Sequence, residues 1–152
     1  MQPELPTLIL RHRRENLKKC TLTGLEKRAD CLFLTYPQDP LPDLTSYCLL
    51  KVGAPPLTLA DNTKGVFLID ATWRLAQIME KNLKVAIAVR SLPPHYRTAY
   101  PRRQTDCPNP QEGLSSLEAL YLAYLILGRS VEGLLDHYHW KDAFLCRNAL
   151  TS

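Results

Sequence analysis

The stretch that decides the fold is "VFLIDATWRLAQIMEKNLKVAIAV", residues 66–89. It begins and ends with short apolar runs rich in β-branched residues, which favour strands (66–69 and 85–89) over helices. Four residues between these runs recur at the spacing of one helix face: Trp73, Ala76, Met79 and Leu83. The stretch therefore predicts a strand, a helix over about 72–82 and a second strand. Because strands joined by a helix run parallel, we expect an α/β fold with a mostly parallel sheet.

Other segments extend this pattern in both directions. The apolar runs "LPTLIL" (5–10) and "CLFLT" (31–35) also predict buried strands. Residues 43–50 fit a short helix or a strand equally well. The C-terminal part predicts three helices, over 115–127, 130–138 and 141–149, the first of them ending at Gly128. Prolines cluster over 37–56 and 93–110, which predicts loops there.

Composition indicates a soluble protein of a reducing compartment. The chain has 152 residues and five cysteines, an odd number without a C-x-x-C pair. This argues against a disulfide scaffold and against a common zinc site. The N-terminal segment turns basic after three apolar residues, unlike a secretory signal, and no apolar run approaches the roughly 18 residues that span a membrane. We therefore expect one cytoplasmic domain without membrane attachment.

Positive charge is concentrated in two segments. Residues 1–28 contain seven of the nineteen Lys and Arg residues against three acids, and residues 90–103 contain four and no acid. Such segments suggest an anionic partner, RNA or DNA first. Solvated loop charge explains the same pattern equally well.

Two places in the sequence are candidate ligand sites. Asp70 follows a predicted buried strand, where ligands gather in parallel sheets, but it could equally cap the next helix, a role for which Thr72 competes. Trp73 fits a core position or a ligand platform. The "SSLE" sequence at 115–118 matches a capping box, and the same helix start would suit a phosphate or carboxylate.

Several common chemistries have no matching pattern. The sequence has no P-loop, G-x-G-x-x-G or H-E-x-x-H motif, which disfavours ATP- or NAD-dependent reactions. His137 and His139 are two residues apart at the end of a predicted helix, so they do not share a face as metal ligands would. We expect no metal site.

Taken in order, several motifs resemble those of DTW-domain proteins. "HRRENLKKCTLTGL" (12–25) is similar to their H-P-x-E…T-N-T-G opening and "DATW" (70–73) to their D-x-T-W signature. "LFLTYP" (32–37), "YRTAYPRRQ" (96–104) and "LSSLEAL" (114–120) resemble their second strand, arginine-rich loop and helix start. The resemblance covers about residues 8–130.

Two further segments resemble the related Tsr3 family of ribosomal-RNA modifying enzymes. "KKCT" (18–21) matches a tetrapeptide of that family, and "WKDAFLCRN" (140–148) is similar to its W-x-x-x-F-L-x-x-N pattern. The chain thus combines features of both branches.

The resemblance implies a transferase that uses S-adenosylmethionine. It would move the 3-amino-3-carboxypropyl group to N3 of a uridine, or modified uridine, in RNA, and the DTW-like motifs slightly favour tRNA over rRNA. The implied fold is SPOUT-like, with a mostly parallel sheet and a C-terminal trefoil knot flanked by helices. One domain (1–152) would join a basic N-terminal α/β part (1–60) to a knotted cofactor-binding part (61–152), acting as a monomer. The alternatives are a SPOUT-type RNA methyltransferase and a non-catalytic RNA-binding module.

The resemblance also assigns roles to particular residues. Those expected around the adenosine and ribose of S-adenosylmethionine are Thr21, Thr35, Leu68, Trp73 and Leu92. Ser115 and Ser116 would bind its carboxylate, and Asp70 would hold its amino group or act as the catalytic base. Those expected to bind RNA are Arg13, Arg14, Lys18, Lys19, Arg97, Arg102 and Arg103. This chain departs from the DTW opening, with Leu22 in place of Asn and Arg13 in place of Pro.

Overall fold

A parallel sheet forms the centre of the protein. The computed structural model describes residues 5–14, 20–83, 85–101 and 113–150. Within them lie five strands: β1 (Thr7–His12), β2 (Cys31–Tyr36), β3 (Tyr47–Leu50), β4 (Gly65–Asp70) and β5 (Ala88–Arg90). Their order is β2-β1-β4-β3-β5, and every neighbouring pair is parallel. The predicted α/β class and parallel sheet are confirmed.

Three α-helices accompany the sheet in the described ranges. They are α1 (Trp73–Lys81), α2 (Ser116–Leu127) and α3 (Lys141–Arg147), with one turn of 3-10 helix at Leu59–Asp61. The predicted strand–helix–strand unit is present as β4-α1-β5, although β3 lies between its two strands. The ambiguous segment 43–50 contains β3. None of these helices is long and apolar enough to cross a bilayer.

Two predicted elements differ from the structure. The segment 130–138 contains consecutive turns over 132–137 rather than a helix, because Gly133 takes a left-handed conformation (φ +80°) that interrupts helical geometry. Leu134, Leu135 and Tyr138 are nevertheless buried, so the apolar spacing identified core residues in the wrong secondary structure. The last strand lies at 88–90 instead of 85–89, and Val85 is 55% exposed before the chain reaches the sheet edge.

Each face of the sheet covers its own hydrophobic cluster. Successive strand residues point to opposite faces, so Ile9 and Leu68 pack towards α2 and α3, where Phe144 is fully buried. Leu8 and Phe67 pack on the other face with Met79 of α1. The near-continuous apolar runs in the sequence reflect this double coverage.

β4 begins with a glycine because a tyrosine ring crosses it. Gly65 is level with Tyr47 of β3, and a Cβ at Gly65 would collide with the Tyr47 ring. The Tyr47 hydroxyl donates to the carbonyl oxygen of Pro6 at 2.8 Å. The close approach thus ties three segments together at the amino end of the sheet.

The predicted trefoil knot is not tested by the described residues. Residues 102–104 of the arginine-rich loop, and 105–112 after it, lie outside the described residues. The knot stays a prediction. The predicted division at residue 60 also stays a prediction.

Candidate functional site

Three polar side chains occupy one level across the carboxyl ends of neighbouring strands. Arg11 of β1 is paired in register with Thr35 of β2 and with Asp70 of β4. By strand alternation, all three belong to the face that α2 covers. Thr35 and Asp70 are separated by two strand spacings, or about 10 Å. This row is the structural base of the candidate site.

Asp70 is buried within a network of hydrogen bonds. Its exposed fraction is 4%. Oδ2 accepts from Arg11 Nε at 3.1 Å and from Cys20 Sγ at 2.9 Å, while Oδ1 accepts from the Ser116 hydroxyl at 3.3 Å. Thr72 occupies the N-cap position of α1, but its side chain makes no capping hydrogen bond to this helix. The carboxylate of Asp70 therefore joins β1, the Cys20 segment and α2 rather than capping α1.

Arg11 neutralises only part of the charge around it. It forms ion pairs with Asp70 and with Glu26, both at 3.1 Å, and its guanidinium lies 4.6 Å from the centre of the Phe33 ring. Burial alone would lower the pKa of Arg11, but Cys20, Glu26 and Asp70 together raise it. Two carboxylates facing one guanidinium leave a net negative charge, which suits a cationic ligand group.

Cys20 is a thiol that donates to Asp70. Burial, with the nearby charge of Asp70, raises the pKa of Cys20 to about 12. At neutral pH it therefore stays protonated and serves as a hydrogen-bond donor, not as a thiolate nucleophile.

The start of α2 closes the other side of the site. Ser115 is the N-cap, 1% exposed, and its hydroxyl accepts from Glu118 N at 3.2 Å in the predicted capping box. Leu117 N donates to the Thr21 hydroxyl at 3.1 Å, while Ser116 points its hydroxyl at Asp70. Thr21, Ser116 and Asp70 are thus brought together, whereas the Ser115 hydroxyl is already engaged within the helix end.

The remaining residues expected around the adenosine differ in their surroundings. Leu68 is buried in the α2-side cluster, and Leu92 packs against that cluster. Trp73 is half-buried in the first turn of α1, with the Arg74 guanidinium 5.7 Å from its ring centre. Thr35 is exposed, and its backbone N–H donates to Asp39 at 2.8 Å.

The described arginines expected to bind RNA are all exposed. Arg13 and Arg14 form the turn after β1, where Arg14 N donates to His12 Nδ1 at 3.0 Å. Burial, with the charges of Arg14 and Arg13, lowers the pKa of His12. Arg97 lies in the loop before the start of α2. The other predicted RNA-binding residues, Lys18, Lys19, Arg102 and Arg103, lie outside the described residues.

Glu118 does more than cap its own helix. It is fully buried, and its carboxylate accepts from Ser115 N, the Thr98 hydroxyl, Ala99 N and the Tyr138 hydroxyl at 2.6–3.0 Å. Burial and the charge of Glu118 raise the pKa of Tyr138. One carboxylate thereby fixes the Arg97 loop and the 130–138 segment against α2.

A separate depression of about 330 Å³ lies at the amino ends of β1 and β2. Its lining residues are Leu5, Pro6, Ala29, Asp30, Tyr124 and Arg129. Asp30 is paired with Arg28 at 2.9 Å, and the Tyr124 hydroxyl bonds to Thr7 at 2.6 Å. It contains none of the predicted site residues, and it lies at the opposite edge of the sheet from Asp70.

The architecture recurs in a known RNA-modifying enzyme. The fold is similar to that of Tsr3. The solved structure of the SAM-dependent rRNA:acp-transferase Tsr3 from Vulcanisaeta distributa matches with a TM-score of 0.71 and 22% identity, over 95% of this chain and 79% of that chain. No protein-family model and no curated protein matches the sequence. At this identity the comparison with Tsr3 concerns the fold, and the DTW-domain resemblance stays a prediction.

Several residues around the site were missed by sequence reasoning. Arg11 and Cys20 bond to Asp70, and Glu26 pairs with Arg11, but none of the three was assigned a role from the sequence, although Cys20 lies within the "KKCT" motif. The signal that could have found Arg11 is its position: a charged residue inside a buried strand needs a counter-charge, and Asp70 also follows a buried strand. Asn148 was identified from the sequence only as the last residue of the "WKDAFLCRN" pattern, without a role.

Proposed function

We propose that this protein transfers the 3-amino-3-carboxypropyl group of S-adenosylmethionine to N3 of a uridine, or modified uridine, in RNA. The observation that carries the proposal is the contact between the buried carboxylate of Asp70 and the start of α2, beside Trp73, in a fold similar to that of Tsr3. The carboxyl end of a parallel sheet is also where α/β folds hold their ligands.

The residues present fit such a ligand. The net negative charge around Asp70 suits its ammonium group, and the N-terminus of α2 at Ser116 suits its carboxylate. Trp73 and Leu92, which are half-buried, offer apolar surface for the adenosine, with Thr21 and Thr35 as hydroxyl partners for the ribose. Leu68 is buried in the α2-side cluster and exposes too little of its side chain for such a contact. The Ser115 hydroxyl is engaged in the helix cap, so we assign Ser115 a structural role at this helix end. We assign the direct contact with the carboxylate of S-adenosylmethionine to Ser116.

The protein's contribution to the reaction is mainly positioning. When bound, S-adenosylmethionine supplies an aminocarboxypropyl carbon activated by the sulfonium, which N3 attacks as the C–S bond breaks and methylthioadenosine leaves. Asp70 and Ser116 hold the amino-acid end so that this carbon, rather than the methyl group, faces the base. Asp70 is also our candidate for the carboxylate that would accept the N3 proton.

The two basic segments would bind the phosphates of the RNA substrate. Arg13, Arg14 and Arg97 are the described residues that we assign to phosphate contacts, together with Lys18, Lys19, Arg102 and Arg103. The similarity to an rRNA-modifying enzyme makes small-subunit rRNA the first substrate to test. The preference for tRNA that the DTW-like motifs suggest becomes the second.

The reaction products test this proposal. Incubating the protein with S-adenosylmethionine and either unmodified small-subunit rRNA or unmodified tRNA should yield methylthioadenosine and, by nucleoside mass spectrometry, an aminocarboxypropyl uridine. S-adenosylhomocysteine as the sole product would instead identify a methyltransferase. RNA binding without any quenching of tryptophan fluorescence by S-adenosylmethionine would indicate a non-catalytic module. The quenching should be lost in Trp73→Phe and kept in the control Trp140→Phe.

A further inference from the structure

The C-terminal pattern "WKDAFLCRN" (140–148) has a packing part and a polar end. Phe144 and Leu145 of α3 are buried in the α2-side cluster, which explains the apolar letters of the pattern. Asn148, the C-cap of α3, is only half-buried and adds nothing to that cluster. Its amide side chain faces the Arg97 loop instead.

Asn148 binds both backbone groups of Arg97. Its Oδ1 accepts from Arg97 N at 2.7 Å, and its Nδ2 donates to Arg97 O at 2.8 Å. The same Nδ2 donates to Phe144 O at 2.9 Å, which anchors the amide to α3. Only one orientation of the amide satisfies all three bonds, so the amide group is fixed.

The neighbouring residues of the loop are held in the same way. Arg147 donates from Nη1 to Thr98 O at 2.7 Å. From the other side, the buried carboxylate of Glu118 accepts from the Thr98 hydroxyl and from Ala99 N. Three consecutive loop residues are therefore held between the end of α3 and the start of α2, while the Arg97 side chain stays exposed.

We propose that Asn148 is a positioning residue for RNA binding, which acts by fixing the backbone of Arg97 relative to the start of α2. This inference rests on the proposed function, since it takes Arg97 as an RNA contact. An arginine on an ordered backbone loses less conformational entropy when it binds a phosphate than one on a loose loop. Asn148 therefore strengthens RNA binding without touching RNA, and it places the bound RNA relative to Ser116 and Asp70.

A double-mutant cycle tests the coupling. Asn148→Ala should weaken binding of an unmodified small-subunit rRNA transcript about three- to tenfold and leave the affinity for S-adenosylmethionine unchanged. In an Arg97→Ala background the same substitution should have no further effect, because the residue through which it acts is gone. Cys146→Ser, an uncharged change at an exposed position of the same helix, is the matched control and should bind RNA like the wild type.

Hydrogen exchange at the Arg97 amide provides a readout that is independent of RNA. Asn148→Ala should accelerate exchange there, while Cys146→Ser should not. The inference is overturned if exchange accelerates and RNA affinity stays the same, or if Asn148→Ala weakens binding equally with and without Arg97. A wild-type protein that binds the transcript but releases no methylthioadenosine would contradict the proposed function alone, since the binding cycle still decides the role of Asn148.

Discussion

Asp70 brings a negative charge into the interior at the point where β4 ends. Its partners Arg11, Cys20 and Ser116 all donate to it, and Arg11 also pairs with the carboxylate of Glu26. Two carboxylates around the single guanidinium of Arg11 leave a net negative charge, which suits a cation. Of the two roles considered for Asp70, holding the ammonium group of S-adenosylmethionine is therefore the one we favour.

Replacing Asp70 by Asn should separate binding from proton transfer. We expect Asp70→Asn to weaken binding of S-adenosylmethionine about 10- to 100-fold, since a charge-assisted hydrogen bond is lost. Methylthioadenosine, which lacks the amino-acid arm, should bind the variant as it binds the wild type, and calorimetry would measure both affinities. Unchanged affinity for S-adenosylmethionine with a large fall in turnover would assign Asp70 the role of base instead.

At the scale of one element, α2 combines two neighbouring serines with different duties. Ser115 closes the capping box and is buried, whereas Ser116 directs its hydroxyl towards Asp70. Gly128 ends the helix in a left-handed conformation, as the sequence indicated. The whole helix was predictable because caps are local signals. Its contact with Asp70 was not, because that contact joins residues 46 positions apart.

Alanine at each serine should therefore have a different effect. Ser115→Ala should lower the free energy of unfolding by about 1 kcal/mol, the usual cost of losing an N-cap, as measured by urea denaturation. Ser116→Ala should leave stability nearly unchanged and weaken binding of S-adenosylmethionine. If Ser116→Ala destabilises the protein as much as Ser115→Ala does, its hydroxyl has a structural role, and our assignment of a ligand contact would be wrong.

At the scale of the whole molecule, both hydrophobic clusters depend on the same central strands. β1 and β4 contribute Ile9 and Leu68 to one face, and Leu8 and Phe67 to the other. Unfolding of β1 or β4 would therefore disrupt both clusters at once. The predicted single domain should accordingly unfold as one cooperative unit.

Core substitutions on opposite faces test this cooperativity. Phe144→Ala should cost about 3–5 kcal/mol and Met79→Ala about 2–5 kcal/mol, losses large enough to shift the midpoint of urea denaturation clearly. In both variants, tryptophan fluorescence and far-ultraviolet circular dichroism should report the same midpoint. Separate transitions in either variant would indicate two independently folding parts and contradict the single domain.

The sequence predicted most of the individual strands and helices, but neither the turns within 130–138 nor the order of the strands in the sheet. Apolar runs and helical spacing are local patterns, so they located β1, β2, β4, α1 and α2. The turns within 130–138 were not predicted, because the apolar spacing indicates only which residues are buried. The backbone conformation there depends on Gly133. The order of the strands was not predictable either, since inserting β3 between β4 and β5 depends on contacts such as the one between Tyr47 and Gly65.

The ion pair between Arg11 and Asp70 also determines how β1 and β4 can align. Side chains alternate between faces, so a slip of β1 by one residue would move Arg11 into the opposite cluster, among Phe67 and Met79. Such a slip would bury two charges without partners, at a cost of several kcal/mol. Apolar strands alone would tolerate several alignments, because one aliphatic side chain replaces another at little cost. The residues that we assign to ligand binding thus also select the native alignment from its competitors while the chain folds.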